Sequence, residues 1–432
     1  MFNYKLTNLD NGLRVITAPL ENTKAVTILF LFGVGSRYED ERLSGISHFL
    51  EHMFFKGTEK RPTTLDISRD LDNVGASYNA FTGEEYTGYF VRVASEHFDL
   101  GLDVLTDMIF NSKFDAKEIE REKGVIVEEI NMYNDDPKAK VDLVAKELFY
   151  GNQPLGRKIT GERETVTKFT RDDFVNYKKT HYTPENMVVV VAGGPNGTGK
   201  SSDDQSGWLT KIEQKFGQMT SGLTSVYEKI NQKQNEPKVA VFNKETDQAH
   251  FILGFRSIER NDPKRPILKV LTNLMGQMMS SRLFIEVREK RGLCYYVHAD
   301  MADFRDTGIW GVSAGVDINR IDEAIKVILE QIERIKNEPV SDEELERAGE
   351  NLKGHLYLAL EESFAVAEFL AERQLFWGDL VDPEQVVTEY KKVTKEDIQK
   401  MAQEIFKKEN LNLAIVGPFK GQEERFKSLI NL

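Results

Sequence analysis

The chain has 432 residues, of which 40% are hydrophobic and 29% charged, with a formal net charge of -13 at pH 7. This composition is typical of a soluble globular protein, and it excludes a disordered, fibrous or disulfide-stapled chain and argues against a nucleic-acid partner. Cys294 is the single cysteine, and the sequence shows neither a secretory leader nor an apolar run of about 20 residues, so we expect a cytoplasmic protein without a membrane partner.

The first half of the sequence predicts a mixture of strands and helices. Apolar, β-branched segments predict strands at 13–20, 25–35 and 187–192 and a strand pair across 77–94, and helical periodicity predicts helices at about 44–56, 64–74, 97–111 and 115–133. Further helix is expected up to about residue 180. Consecutive strands of this kind form an antiparallel-rich sheet with helices packed on one face, so the predicted fold class is α+β.

The second half of the sequence repeats the pattern of the first. A helix start at Thr170 and a strand ending at Gly193 correspond to a helix start at Thr394 and a strand ending at Gly417, and both pairs are 224 residues apart. A period of this length indicates two tandem copies of one domain rather than a solenoid, whose repeats span about 20 to 50 residues.

The repeat also predicts the domain boundaries. We expect an N-terminal domain at 1–217, a linker at 218–237 and a C-terminal domain at 238–432. The segment assigned to the linker is polar and has no clear period, which is typical of a connection between domains.

The stretch SGISHFLEHMFFKG carries the strongest chemical signal in the first copy. On a helix, His48 and His52 project from the same face, close enough for both imidazoles to bind one Zn2+. Glu51 turns toward that face as well, where a carboxylate can take a proton from the attacking water. The order H-x-x-E-H is the inverted form of the H-E-x-x-H motif of zinc proteases.

A third ligand is expected from EIEREKGVIVEEINMY. Glu122 and Glu129 are two helical turns apart and share one stripe of the helix, whereas Glu128 is rotated away by about 100°. We predict Glu129 as the third ligand, with Glu122 behind it as a carboxylate that could hydrogen-bond a histidine, the water or the substrate amine. Without the histidine pair, these acids would be interpreted as the solvated face of a charged helix.

A second motif, at residues 194–201, matches the phosphate-binding pattern G-x-x-x-x-G-K-S. Such a loop must lead from a strand directly into a helix whose N-terminal amides hold the phosphates. Here Asp203 and Asp204 would bring negative charge near the phosphates, and Gly207 would interrupt the helix. The matching strand of the second copy has no such loop, so we expect a flexible surface loop, a helix that begins near Trp208 and no nucleotide partner.

The two copies together resemble the inverzincin metallopeptidases of the pitrilysin and insulinase type, most closely those of the processing-peptidase type. In the first copy, the resemblance rests on SGISHFLEHMFFKGT, NVGASYNAFTGEEYTGYFV and EIEREKGVIVEEI, and in the second on SSRLFIEVREKRGLCYYV. It spans nearly the whole chain. Members of this family are built from two similar α+β halves, which agrees with the repeat.

The resemblance implies one zinc site per chain. It makes His48, His52 and Glu129 the ligands of one Zn2+, Glu51 the general base and Glu122 its supporting acid. The second copy contains no H-x-x-E-H, so a second metal site is not expected.

Further residues are implied to hold the substrate. The resemblance assigns Arg288 and Tyr295 to the substrate backbone and to the carbonyl oxygen near the metal, where a cation and a phenol would stabilise a developing oxyanion. It also implies that the edge strand of Asn79, Ala80 and Phe81 binds the peptide as an added β-strand. The alternatives are a surface arginine with a packed tyrosine, and a core hairpin strand.

The resulting hypothesis is a zinc-dependent endopeptidase that hydrolyses extended peptides or presequence-like segments. One chain holds the metal motif and both substrate residues, so a self-sufficient homodimer that encloses its substrate is expected. The acidic balance favours peptides with basic residues. The alternative functions are a non-catalytic structural subunit of a larger complex and a P-loop nucleotide hydrolase, of which the second is rejected.

Overall fold

A computed structural model of the chain describes residues 3–21, 23–194, 201–220, 222, 224–231 and 233–430. The described strands are β1 (Lys5–Asn8), β2 (Arg14–Pro19), β3 (Ala25–Phe32), β4 (Ser77–Thr82), β5 (Thr87–Ala94), β6 (Met187–Gly193), β7 (Lys238–Asn243), β8 (Gln248–Ser257), β9 (Cys294–Asp303), β10 (Gly308–Asp317) and β11 (Leu411–Gly417). The described α-helices are α1 (Ile46–Phe54), α2 (Thr64–Asp72), α3 (Phe98–Asn111), α4 (Ala116–Asp135), α5 (Pro137–Tyr150), α6 (Arg163–Val166), α7 (Arg171–His181), α8 (Ser201–Phe216), α9 (Arg265–Thr272), α10 (Ile321–Asn337), α11 (Asp342–Ala359), α12 (Ser363–Glu372), α13 (Pro383–Lys391), α14 (Lys395–Ile405) and α15 (Glu423–Leu429).

The strands form two sheets of matching topology. The first has the order β1-β2-β6-β3-β5-β4 and the second the order β7-β11-β8-β10-β9. The pairs β2 with β6 and β7 with β11 are parallel, and the other pairs are antiparallel. When β1 is left out, the strands of the two sheets correspond one to one. The predicted α+β fold of two similar tandem domains is therefore confirmed.

Helices cover both faces of the first sheet. Val26, Ile28 and Phe30 of β3 pack into a core with α1, α3 and α8. The intervening Thr27 points to the other face, where its hydroxyl shares a hydrogen bond of 2.8 Å with Ser363 of α12. All residues of the apolar strand β6 are buried, as is typical of a strand covered on both sides. The structure thus adds a helix to the single covered face expected from the sequence.

The second sheet is covered in the same way, with a large core on one face and α5 on the other. Val141 and Ala145 of α5 pack against Ala414 and Val416 of β11 in a cluster separate from the large core. The helix α5 comes from the first half of the sequence, whereas α12 comes from the second. Each sheet therefore receives one helix from the other half of the repeat.

This exchange makes the compact units discontinuous in sequence. One unit comprises Met1–Ile130, Arg157–Glu228 and Tyr357–Asp382, and the other comprises Asn131–Gly156, Lys229–Leu356 and Pro383–Leu432. The expected boundaries at 217 and 238 follow the sequence repeat, whereas the units follow packing. Where the structure describes residues 218–237, they form neither helix nor strand.

The helix after the phosphate-loop motif begins earlier than expected. Helix α8 begins at Ser201, so the prediction of a start near Trp208 is wrong. Trp208, Ile212 and Phe216 follow each other at helical spacing and are buried in the first core, which outweighs the poor helix propensity of the preceding residues. Residues 195–200 of the motif lie outside the described residues. Among the described helices, none has the length and apolar character needed to cross a membrane.

Candidate metal centre

Helix α1 carries the central motif on its polar face. It begins after Gly45, whose φ of 98° and close approach to Gly161 and Thr160 leave no room for a side chain. Its apolar residues anchor the helix in the first core: Ile46, Phe49, Leu50, Met53 and Phe54. The opposite face presents His48 and His52, whose ring centroids are 4.7 Å apart. The helix thereby fixes both imidazoles on a rigid support.

Helix α4 supplies the carboxylates. Glu122 is 2% exposed, Glu129 is half-buried and Glu128 is exposed, as the helical spacing predicted. The apolar residues Ile119, Ile126 and Ile130 of this helix are buried in the first core, which fixes the rotation of α4. Glu129 is thereby directed toward α1.

The structure brings His48, His52 and Glu129 together. Glu129 Oε1 lies 3.4 Å from His48 Nε2, and Glu129 Oε2 lies 3.6 Å from His52 Nε2. These distances are too long for good hydrogen bonds, but tetrahedral zinc with bonds of about 2.0 to 2.2 Å separates its ligand atoms by about 3.4 Å. Two imidazole nitrogens and one carboxylate oxygen also match the donor set of a catalytic zinc with an open fourth position. Among the described residues, this is the one group of three His, Cys, Asp or Glu ligand atoms within 4.8 Å of one another.

Glu122 fixes the tautomer of His52. His52 Nδ1 lies 2.8 Å from Glu122 Oε1, and Lys56 Nζ lies 2.6 Å from Glu122 Oε2. Burial favours a raised pKa for Glu122, but the hydrogen bonds from His52 and Lys56 outweigh it and hold the pKa below its ordinary value. An ionised carboxylate only accepts, so Nδ1 carries a proton and Nε2 is the nitrogen that faces Glu129.

His48 has no equivalent support. Its Nδ1 is buried without a hydrogen-bond partner among the described residues. The orientation of His48 therefore depends on the packing and backbone of α1.

Glu51 lies beside the cluster, where Thr82 Oγ1 donates to its Oε2 at 2.5 Å. Burial raises the pKa of Glu51 above its ordinary value, although the Thr82 hydrogen bond and the nearby imidazoles of His48 and His52 oppose this effect. A carboxylate with a raised pKa accepts a proton more readily near neutral pH.

The predicted substrate strand is the free edge of the first sheet. Among the described strands, β4 pairs only with β5, in a register that sets Asn79 opposite Phe90. Ala80 N–H is held by the Asn79 side chain, whose Oδ1 accepts it at 2.9 Å. Thr82, the last residue of the same strand, contacts Glu51, so β4 lies next to the Glu51 carboxylate.

Arg288 and Tyr295 belong to the other compact unit. Tyr295 is 77% exposed, and the Arg288 guanidinium lies 5.7 Å from the centre of its ring. The two residues are thus neighbours on an accessible surface.

The sequence reasoning missed three polar residues near the site. Lys56 contacts Glu122, Thr82 contacts Glu51, and Glu39 accepts backbone N–H groups at the start of α1. Lys56 follows His52 by four residues, so the helical spacing could have indicated it. Thr82 and Glu39 come from other elements, and helical spacing gives no sign of their contacts.

The sequence matches two family profiles. Residues 14–163 match the family described as insulinase (peptidase family M16), and residues 168–352 match the peptidase M16 inactive domain. A Bacillus subtilis protein described as uncharacterized zinc protease YmxG is 35% identical over 411 residues, which cover 95% of this chain and 97% of its own length. A Streptomyces coelicolor protein, also described as an uncharacterized zinc protease, is 34% identical over 423 residues, which cover 96% of this chain and 90% of its own length.

Solved structures share the fold. The crystal structure of a protease from Helicobacter pylori has a TM-score of 0.89 at 23% identity, covering 97% of this chain and 100% of that chain. A peptidase M16 inactive domain from Pseudomonas fluorescens has a TM-score of 0.85 at 17% identity, covering 96% and 98%. At these identities, the likeness is one of fold.

Proposed function

This chain belongs to the insulinase family of peptidases (peptidase family M16) and is a zinc metallopeptidase, and from that premise we propose that it is an endopeptidase that cuts extended peptides. The observation that carries the proposal is the arrangement of His48, His52 and Glu129, with Glu51 beside them on the same helix face. It joins a zinc donor set to a carboxylate that can move a proton.

His48, His52 and Glu129 would hold one Zn2+ per chain. A bound Zn2+ supplies a Lewis acid that polarises the scissile carbonyl and makes water acidic enough to lose a proton at neutral pH. Glu122 would support the site through its ionised carboxylate, which holds the proton of His52 on Nδ1 and so keeps Nε2 as the nitrogen that would bind the metal.

Glu51 is the proton carrier of the proposed reaction. Its carboxylate accepts a proton from the attacking water and passes it to the leaving nitrogen. The peptide bond therefore breaks with a neutral amine, rather than an amide anion, as the leaving group. The hydrogen bond from Thr82 fixes one carboxylate oxygen and leaves the other for this transfer. Burial supports the role because it raises the pKa of Glu51 toward the working pH.

The substrate would bind as an added strand along β4. The backbone of Asn79, Ala80 and Phe81 lies at the edge of the sheet, and a peptide carbonyl can replace Asn79 Oδ1 as the acceptor of the Ala80 N–H. Only an extended peptide can pair in this way, which favours unfolded segments, including presequence-like ones. Arg288 and Tyr295 are proposed to hold the peptide backbone and the developing oxyanion.

Three further properties belong to the proposal. The net charge of -13 favours peptides with basic residues, and the single cysteine agrees with a cytoplasmic location. We also propose a homodimer, which sedimentation of the purified chain would test. A cleavage-site library without Lys or Arg enrichment would remove the preference for basic residues.

The function is tested with unstructured, internally quenched peptides. We expect the purified chain to cut them at internal bonds, a chelator to abolish cleavage and added zinc to restore it, with the products identified by mass spectrometry. Glu129→Gln should lose both zinc and cleavage, whereas Glu128→Gln, one residue away on the exposed face of α4, should keep both. A wild-type chain that binds no zinc and cuts no peptide would instead favour a non-catalytic structural subunit.

A further inference from the structure

The first turn of helix α1 is held by a buried carboxylate from the segment before it. Glu39 Oε2 accepts the Gly45 N–H at 2.7 Å, and Glu39 Oε1 accepts the Ser47 N–H at 2.8 Å. Glu39 is 4% exposed, and Gly45, at the start of the helix, offers no side chain for capping. One carboxylate thus satisfies two of the amides that a helix N-terminus leaves without intrahelical partners.

This cap acts on the backbone immediately before His48. The hydroxyl of Ser47 is also fixed, by a hydrogen bond of 2.7 Å with the Tyr177 hydroxyl. His48 Nδ1 has no hydrogen-bond partner among the described residues, so the position of its imidazole depends on the backbone more than that of His52 does.

We infer that Glu39 is a positioning residue of the metal centre: its ionised carboxylate fixes the first turn of α1 and so holds His48 where it can share a metal ion with Glu129. The inference rests on the proposed zinc site. It requires the ionised form because a protonated carboxyl keeps one acceptor oxygen and gains a donor, so it cannot accept both N–H groups well.

The surroundings of Glu39 make this ionisation sensitive to pH. Burial raises its pKa from 4.5 to about 7, although the hydrogen bonds from Ser47 and Gly45 and the charge of Arg157 oppose this effect. Among the described residues, Arg157 and Tyr177 are titratable groups that face Glu39 from other elements. The cap is therefore complete above about pH 7 and weakened below it.

Two charged neighbours on its own segment are engaged elsewhere. Arg37 forms a buried ion pair of 2.6 Å with Glu85, and Asp40 Oδ1 accepts the Leu43 N–H at 2.8 Å. Arg157 donates to the backbone carbonyl of Glu39 at 2.5 Å, which keeps its positive charge near the carboxylate.

The test compares zinc affinity in Glu39→Gln and wild type by competition with a chelator from pH 6 to pH 8.5. At pH 8.5 the variant should bind zinc about tenfold more weakly, because the glutamine amide can accept only one of the two N–H groups. At pH 6 the ratio should approach one, since wild-type Glu39 is then protonated as well. Equal affinities at pH 8.5, or a ratio independent of pH, would overturn the inference.

A matched control and a second variant complete the test. Glu41→Gln removes the same charge from an exposed position two residues away and should leave zinc affinity unchanged. Arg157→Gln keeps both hydrogen bonds of Glu39 but removes the charge that lowers its pKa, so it should shift the pH dependence to higher pH. An unchanged midpoint would count against the inference even if Glu39→Gln failed to fold.

Amide hydrogen exchange separates this inference from the proposed function. In the metal-free protein at pH 8, exchange across residues 43–49 should be about tenfold faster in Glu39→Gln than in wild type. Unchanged exchange would overturn the positioning role. A wild-type chain that binds no zinc would contradict the proposed function, and the exchange result would still decide the role of Glu39.

Discussion

Replacement of Glu122 by Gln probes the support of the metal centre. Glu122 accepts from two donors, His52 Nδ1 at 2.8 Å and Lys56 Nζ at 2.6 Å, in a position where its side chain is 3% exposed. A glutamine keeps one acceptor and turns an NH2 group toward the other donor. Losing a hydrogen bond between charged groups costs about 1.5 to 3 kcal/mol, which corresponds to a loss of zinc affinity of about 10- to 100-fold.

The assay is competition for zinc with a fluorescent chelator at one fixed pH. Glu120→Gln is the matched control, because Glu120 lies on the same helix, its side chain is 70% exposed and its ion pair in the described part of the chain is with Lys123. The control should keep the wild-type affinity. If Glu122→Gln bound zinc within about twofold of wild type, the reasoning that Glu122 prepares His52 as a ligand would be refuted.

The remaining predictions concern orientation, pH and packing. Thr82→Val removes the hydrogen bond that orients Glu51, so kcat should fall about tenfold with zinc content unchanged, and an unchanged kcat would refute this role. The raised pKa of Glu39 means that burial in the folded chain favours its protonated form, although the ionised form makes the better cap. Its contribution to the free energy of unfolding is therefore fully present below about pH 4.5 and is lost as the pH rises through about 7. Urea denaturation should therefore show wild type losing about 3 kcal/mol relative to Glu39→Gln between pH 4.5 and 8, and parallel curves would exclude this linkage. Leu370→Ala in α12 should lower the free energy of unfolding by about 3 kcal/mol because the side chain is fully buried, and a loss below about 1 kcal/mol would show that α12 contributes little to the unit.

Much of the site could be predicted from helical periodicity. An α-helix has a fixed number of residues per turn, so the sequence alone could place His48 and His52 on one face of α1 and Glu122 and Glu129 on one stripe of α4. The internal repeat similarly predicted two sheets of the same plan, because two copies of one sequence pattern form the same local elements. These inferences use distances of a few residues or a direct comparison of the halves.

Contacts between distant elements could not be predicted in this way. Thr82 and Glu39 contact α1 only because the edge strand and the preceding loop pack beside it, and neither contact leaves a periodic signal. The exchange of α5 and α12 between the sheets depends on which sheet each helix packs against, and helical periodicity does not indicate which sheet that is. The early start of α8 has the same origin, because its buried end at Trp208 and Phe216 stabilises residues that are poor helix formers.

The central claim is tested most directly by measuring zinc content and turnover together in Glu51→Gln. The account predicts one zinc per chain, as in wild type, because Glu51 is not among the three ligand residues. It also predicts a turnover reduced by about 100- to 10,000-fold, because the variant cannot accept the proton of the attacking water. A variant that retains its zinc and cuts the quenched peptides at the wild-type rate would contradict the account.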